Sequence, residues 1–186
     1  MQSAPIAAER LTAEEYRSMP EDGRRYQLID GQLHMAPAPN SYHQEIVWNL
    51  SRILGRYTDA HPIGRIYPAP YDVYLSDGDV VQPDLLFLSN ARKNLRQDHG
   101  LSGAPDLVIE VLSVSTSQLD KKTKRAIYAR TGVKEMWLVD PILQQIHLYD
   151  FARDPAKAVR LVEDDETFES ALLPGLMVSA AEVFKR

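Results

Sequence analysis

The chain has 186 residues, a formal net charge of −5 and no cysteine, and its 44% hydrophobic and 25% charged content is that of an ordinary globular protein. The missing cysteines exclude disulfides, thiolate catalysis and cysteine-based zinc sites, so any metal must be held by oxygen or histidine donors. The acidic balance, with a pI of about 5.5, argues against a chain that coats nucleic acid through bulk charge, although a local basic patch is still allowed. No run approaches the roughly 18 apolar residues of a membrane span, and the opening MQSAPIAAER lacks the apolar stretch of a signal peptide. A cytoplasmic protein with no membrane contact is expected.

In chain order, Thr12-Ala13-Glu14-Glu15 has the spacing of a capping box and opens a short helix that Pro20 closes. Tyr26–Ile29 and Gln32–Met35 flank Asp30-Gly31, a strong hairpin signal. Ser41 is the predicted cap of an amphipathic helix, since Ile46, Val47, Leu50, Ile53, Leu54 and Tyr57 recur at helical spacing. Ile66–Leu75 reads as one irregular or edge strand because Pro68 and Pro70 interrupt it. After a turn at Asp77-Gly78 the chain returns through Val80-Val81 to the apolar run Leu85–Leu88, and the polar stretch Ser89–Gly103 reads as a loop.

The segment Ala104–Tyr128 organises the rest. Leu107–Leu112 is an apolar, β-branched run suited to a buried strand, and Glu110 breaks it. An ionised carboxylate there carries a penalty of several kcal/mol unless a cation, whether Lys, Arg or a metal ion, lies beside it. A helix capped by Ser115 or Thr116 should then run to about Thr131, stopped by Gly132, and it carries Lys121, Lys122, Lys124, Arg125 and Arg130. Lys134–Val139 and Gln144–Tyr149 read as paired strands, Ala158–Val162 as another, and Ser179–Phe184 as a terminal helical turn. The pattern predicts a mixed α/β fold, a central sheet with helices packed on it.

Asp84 is a second acid at an apolar strand. If its strand neighbours that of Glu110, the two carboxylates converge, and they could ligate one Mg²⁺ or Mn²⁺ with Lys124 near enough to assist an attacking water. The competing reading makes Asp84 a turn cap and Glu110–Lys124 a buried structural ion pair. Asp72 and Asp106 read as turn or edge acids, Glu45 as a solvated helix residue, and Tyr128 and Trp137 as packing residues.

At these residues the sequence resembles the Uma family of endonucleases, within the PD-(D/E)XK nuclease superfamily. The resemblance runs from Tyr26–Gly31 through His43, Val81–Phe87 and Gly103–Ser113 to Lys124, Gly132-Val133, Trp137–Pro141 and Leu173–Leu176. It implies a restriction-endonuclease-like core of mixed sheet and flanking helices over residues 26–186, preceded by a helical segment 1–25, in a single domain 1–186. It also implies that Asp84 and Glu110 hold Mg²⁺ (or Mn²⁺) and that the catalytic Lys, absent at Leu112, is Lys124 on the helix. Gln27 stands where many members have Glu, a weaker ligand; Gln27 and His43 are therefore accessory candidates, with Glu45 a substitute. The implied activity is phosphodiester hydrolysis of DNA, with RNA as a further substrate class and a homodimer as the form that cuts both strands. The alternative is a weakened nuclease-fold module that binds nucleic acid or a protein partner.

Overall fold

A computed structural model describes residues 10–113 and 119–186. Its elements in order are α1 (Ala13–Arg17), β1 (Arg25–Ile29), β2 (Gln32–Ala36), α2 (Ser41–Ala60), β3 (Gly64–Pro68), β4 (Val73–Ser76), β5 (Asp79–Val81), β6 (Leu85–Ser89), β7 (Arg96–Gln97), β8 (Gly100–Ser102), β9 (Leu107–Val111), α3 (Arg125–Thr131), β10 (Glu135–Asp140), β11 (Gln145–Asp150), β12 (Arg160–Glu163), β13 (Thr167–Glu169), β14 (Met177–Ser179) and α4 (Ala180–Val183). Among the described residues the strands form two six-stranded mixed sheets, ordered β2-β1-β5-β4-β8-β7 and β12-β11-β10-β9-β6-β3, and the hairpin β13-β14. The expected mixed α/β class holds, but the one central sheet is in fact two.

The local signals explain most elements. Thr12 and Glu15 form the reciprocal capping box of α1, and Asp30 and Gly31 turn β1 into β2 with φ of 49° and 73°, as a tight hairpin requires. Gly132 ends α3 in the left-handed region at φ 97°. The cap of α2 is Asn40, whose side chain accepts from His43 N, rather than the expected Ser41, which is the first helical residue. Ser115 and Thr116 lie outside the described residues, as do the side chains of Asp120 and Lys121.

Two expectations are corrected. Ile66–Leu75 is two strands in different sheets, β3 and β4, separated by a cis Ala69–Pro70 bond. Val80-Val81 and the run Leu85–Leu88 also fall in different sheets, β5 in the first and β6 in the second. Ser89–Gly103 is not a bare loop: Asn90–Leu95 forms a 3₁₀ helix and β7 and β8 extend the first sheet.

Two apolar cores result. Leu107, Ile109 and Val111 of β9 pack with Ile46, Leu50 and Leu54 of α2. Val108 and Leu112 face the opposite way, toward Ile127 and Tyr128 of α3 and Val73 and Val81 of the first sheet. A strand buried on both faces reads as a continuous apolar run because alternate residues enter different cores. Alternation therefore sends Glu110, between Val108 and Leu112, toward α3.

Candidate active site

Strands β6 and β9 are antiparallel neighbours with Leu85 opposite Ile109. One residue further along the same register, Asp84 falls opposite Glu110. Directly opposed residues share a sheet face with Cβ atoms about 4.5–5.5 Å apart. The two residues thus lie at one end of the second sheet, Asp84 just before β6. The backbone N–H of Val111 donates to Asp84 Oδ2 at 2.8 Å and fixes that side chain across the strand pair.

Glu110 is 3% exposed and so is Lys124. Lys124 Nζ donates to both Glu110 oxygens, at 2.9 and 3.1 Å. Lys124 closes a π-helical turn, Leu119–Lys124, that leads into α3, and wide turns of this kind are frequent at functional sites. Four residues on, Tyr128 lies on the same helix face and its hydroxyl donates to Glu110 Oε1 at 2.5 Å. The expectation that Tyr128 only packs is corrected, although its ring is also in the core.

His43, in the first turn of α2, sets Nε2 at 3.0 Å from the Val111 carbonyl and 3.3 Å from Asp84 Oδ2. Both neighbours are acceptors, so Nε2 carries the proton. Burial disfavours a charged imidazole, but the hydrogen bond and charge of Asp84, with the Val111 carbonyl and Glu110, outweigh it and lift the His43 pKa above its ordinary value. Gln27 on β1 lies at the same place, its Oε1 accepting from Gln82 N at 3.1 Å.

Asp84, Glu110, Lys124, His43 and Gln27 all line one pocket of about 100 Å³, walled by Pro37 and Pro39 of the segment between β2 and α2. Glu45 is exposed and does not line it. Sequence reasoning passed over Arg25, Gln82 and Ser113, which also face this space. No periodicity marks them, since each is an ordinary polar residue until the two sheets meet. Asp106, expected at a turn or edge, is fully buried and pairs with Lys134 at 2.7 Å and Arg92 at 3.4 Å. Asp72 accepts from Gln82 Nε2 at 2.8 Å and Tyr16 OH at 3.2 Å.

Among the described residues no group of three or more His, Asp or Glu side chains could hold a metal ion. Mg²⁺ commonly takes one or two carboxylates and keeps several waters. Asp84 and Glu110 would supply such hard oxygens, those of Glu110 already bonded to Lys124 and Tyr128.

A family described as "Putative restriction endonuclease", Uma2, matches residues 13–181. The chain belongs to the Uma2 family. An Uma2 assignment accounts for the resemblance across both sheets, because the match spans α1 to α4. An uncharacterized protein of Synechocystis sp. (strain ATCC 27184 / PCC 6803 / Kazusa) is 25% identical over 154 residues, covering 77% of this chain and 82% of its own. The crystal structure of "a putative nuclease belonging to DUF820" from Anabaena variabilis ATCC 29413 superposes with a TM-score of 0.79 at 20% identity, covering 94% of this chain and 97% of that one. At that identity the likeness establishes a shared fold.

Proposed function

We propose that this Uma2 protein is a metal-dependent endonuclease hydrolysing phosphodiester bonds of DNA. The observation that carries the reading is that Asp84, Glu110 and Lys124 line one pocket, with Lys124 bonded to Glu110. Asp84 and Glu110 would hold Mg²⁺ or Mn²⁺, which when bound lowers the pKa of a water and polarises a phosphoryl oxygen. Lys124 neutralises Glu110 and places positive charge where the phosphoryl oxygens gain negative charge. His43, itself bonded to the Val111 carbonyl, holds Asp84 Oδ2, and Tyr128 fixes the orientation of Glu110.

Two cations of the Lys-rich segment are engaged within the protein, while Lys122 is exposed. Lys124 is buried on Glu110, and Arg130 is committed to Asp79 at 2.6 Å. In this reading phosphate contacts fall to Arg65, Lys93 and Arg96, exposed cations around a hollow of about 290 Å³ with no acidic side chain in its lining. Cutting both strands with one site per chain calls for a two-fold dimer.

The test is cleavage of supercoiled and linear DNA with Mg²⁺ or Mn²⁺ by the unmodified protein and by Asp84→Asn. The amide keeps an acceptor for the Val111 N–H while losing the charge. Loss of cleavage by roughly 100-fold or more, with unchanged circular dichroism, is the expected result. Equal cleavage by the variant overturns the assignment. One observation favours the alternative of a weakened binding module: Gln27 presents an amide, and its oxygen already accepts from Gln82 N. Calorimetric titration with Mn²⁺ separates the two, since the nuclease requires ion binding that Asp84→Asn abolishes.

A further inference from the structure

The pocket around Asp84 and Glu110 opens onto a second space. Arg25 and Gln82 line both it and a larger cavity of about 490 Å³ walled by Tyr16, Tyr26, Tyr74, His99 and Asp72. The walls are aromatic: the Tyr74 ring lies 5.0 Å from that of His99 and 6.4 Å from that of Tyr16, both edge to face. Among the described residues Arg25, at the junction, has no acidic partner. Three acids line the cavity, Glu21 and Asp22 exposed and Asp72 half-buried. Asp72 Oδ1 accepts from Gln82 Nε2 at 2.8 Å and from Tyr16 OH at 3.2 Å, a hydroxyl shared with the Tyr26 carbonyl at 2.8 Å, and among the described residues no donor reaches Oδ2. Burial pushes the Asp72 carboxyl above its ordinary range against those two donors and the charge of His99, as expected of a carboxylate still short of a partner.

An aromatic-walled cavity with a half-buried carboxylate that has an oxygen to spare, reached past a guanidinium with no acidic partner among the described residues, matches a nucleotide. Base stacking on aromatic rings is sequence-tolerant, a carboxylate oxygen accepts only from a donor, and an arginine suits phosphate. We propose that this cavity is a base-reading subsite for the nucleotide next to the scissile phosphate: Arg25 holds the phosphate, the tyrosine and histidine rings take the base, and Asp72 accepts from its exocyclic amino group. The proposal rests on the nuclease reading and adds a specificity to it. Adenine and cytosine carry the amino group; thymine and uracil present a carbonyl oxygen there, which the carboxylate repels.

The test is anisotropy of labelled single-stranded dA, dC and dT oligonucleotides of equal length with the full chain, in EDTA so that no cleavage intervenes. The unmodified protein should bind dA and dC roughly tenfold more tightly than dT, the factor that a difference of about 1.4 kcal/mol gives. Asp72→Asn keeps an oxygen for Tyr16 and Gln82 but replaces the spare acceptor by a donor, so the preference should vanish or reverse while overall binding persists. Arg25→Ala should weaken all three alike, and Tyr74→Ala should weaken them by roughly 5- to 100-fold. Equal binding of dA, dC and dT by the unmodified protein, or an unchanged preference in Asp72→Asn, overturns the subsite. Metal-dependent cleavage without base preference removes the subsite and leaves the nuclease; base preference without cleavage under Mg²⁺ or Mn²⁺ removes the nuclease and leaves the subsite.

Discussion

Glu110 and Lys124 are a buried charge pair in which each is the other's main compensation. Breaking such a pair leaves an uncompensated charge, so Lys124→Ala should lower stability by about 3–5 kcal/mol. The Glu110→Ala/Lys124→Ala double variant should cost less than the sum of the singles in denaturant titrations, because neither charge is then stranded. Loss of function in Glu110→Ala alone is therefore a poor reporter of catalysis, and Asp84, whose side chain is 21% exposed, is the better one. Asp106 behaves differently. Burial opposes its charge, but Lys134, the donors of Ser89 and the charge of Arg92 outweigh it and hold the carboxyl below its ordinary 3.8. A depressed folded pKa gives stability that is complete above 3.8 and is lost as pH falls through the lower folded value. Urea titrations from pH 6 downward should show that loss in the unmodified protein, and Asp106→Asn should lack it. At the level of single side chains, Glu110 was legible as an acid breaking an apolar run, whereas Tyr128 as its donor was not, since a tyrosine one turn past a lysine reads as ordinary core.

Among the elements, β9 shows why one acid is so informative. Its neighbours alternate between two cores, and only the face toward α3 offers Glu110 a cation. Helix α2 brings the other half of the site, since its first turn carries His43 and its buried stripe seats it on β9. Asn40 caps that turn by accepting from His43 N at 2.8 Å. Asn40→Ala should cost about 1 kcal/mol of stability by thermal or chemical denaturation. The α2 stripe and the Asp30-Gly31 hairpin were legible because their signals are local in the chain. The division of Ile66–Leu75 and Val80–Leu88 between two sheets was not, because each half has the same strand character and only its distant partner decides which sheet it joins.

For the molecule as a whole, the charge of −5 leaves few places where a polyanion can approach. Of the cations on α3 and the turn before it, Lys124 is used on Glu110, Arg130 on Asp79 and Arg125 on the Ala156 carbonyl, while Lys122 is exposed. Arg65, Lys93 and Arg96 at the edges formed by β3 and β7 are the exposed group with no acid lining its hollow. If they meet the backbone, Lys93→Ser and Arg96→Ser should each weaken DNA binding for every sequence alike. Each should also reduce the slope of log affinity against log salt by about 1. Unchanged slopes would place the contacts elsewhere.

The sequence by itself determined the α/β character, the hairpins and caps, the strand holding Glu110, and, through its resemblance to the Uma family, the residues worth locating. These depend on spacing, turn chemistry and the cost of a charge in an apolar run, all of which act within a few residues. The tertiary structure alone decided that Asp84, Glu110, His43 and Gln27 reach one pocket, that Lys124 and Arg130 are engaged by acids, and that a second cavity adjoins the first. Those facts follow from pairing between segments far apart in the chain, where strand partners are chosen by the burial of whole faces and leave no local mark.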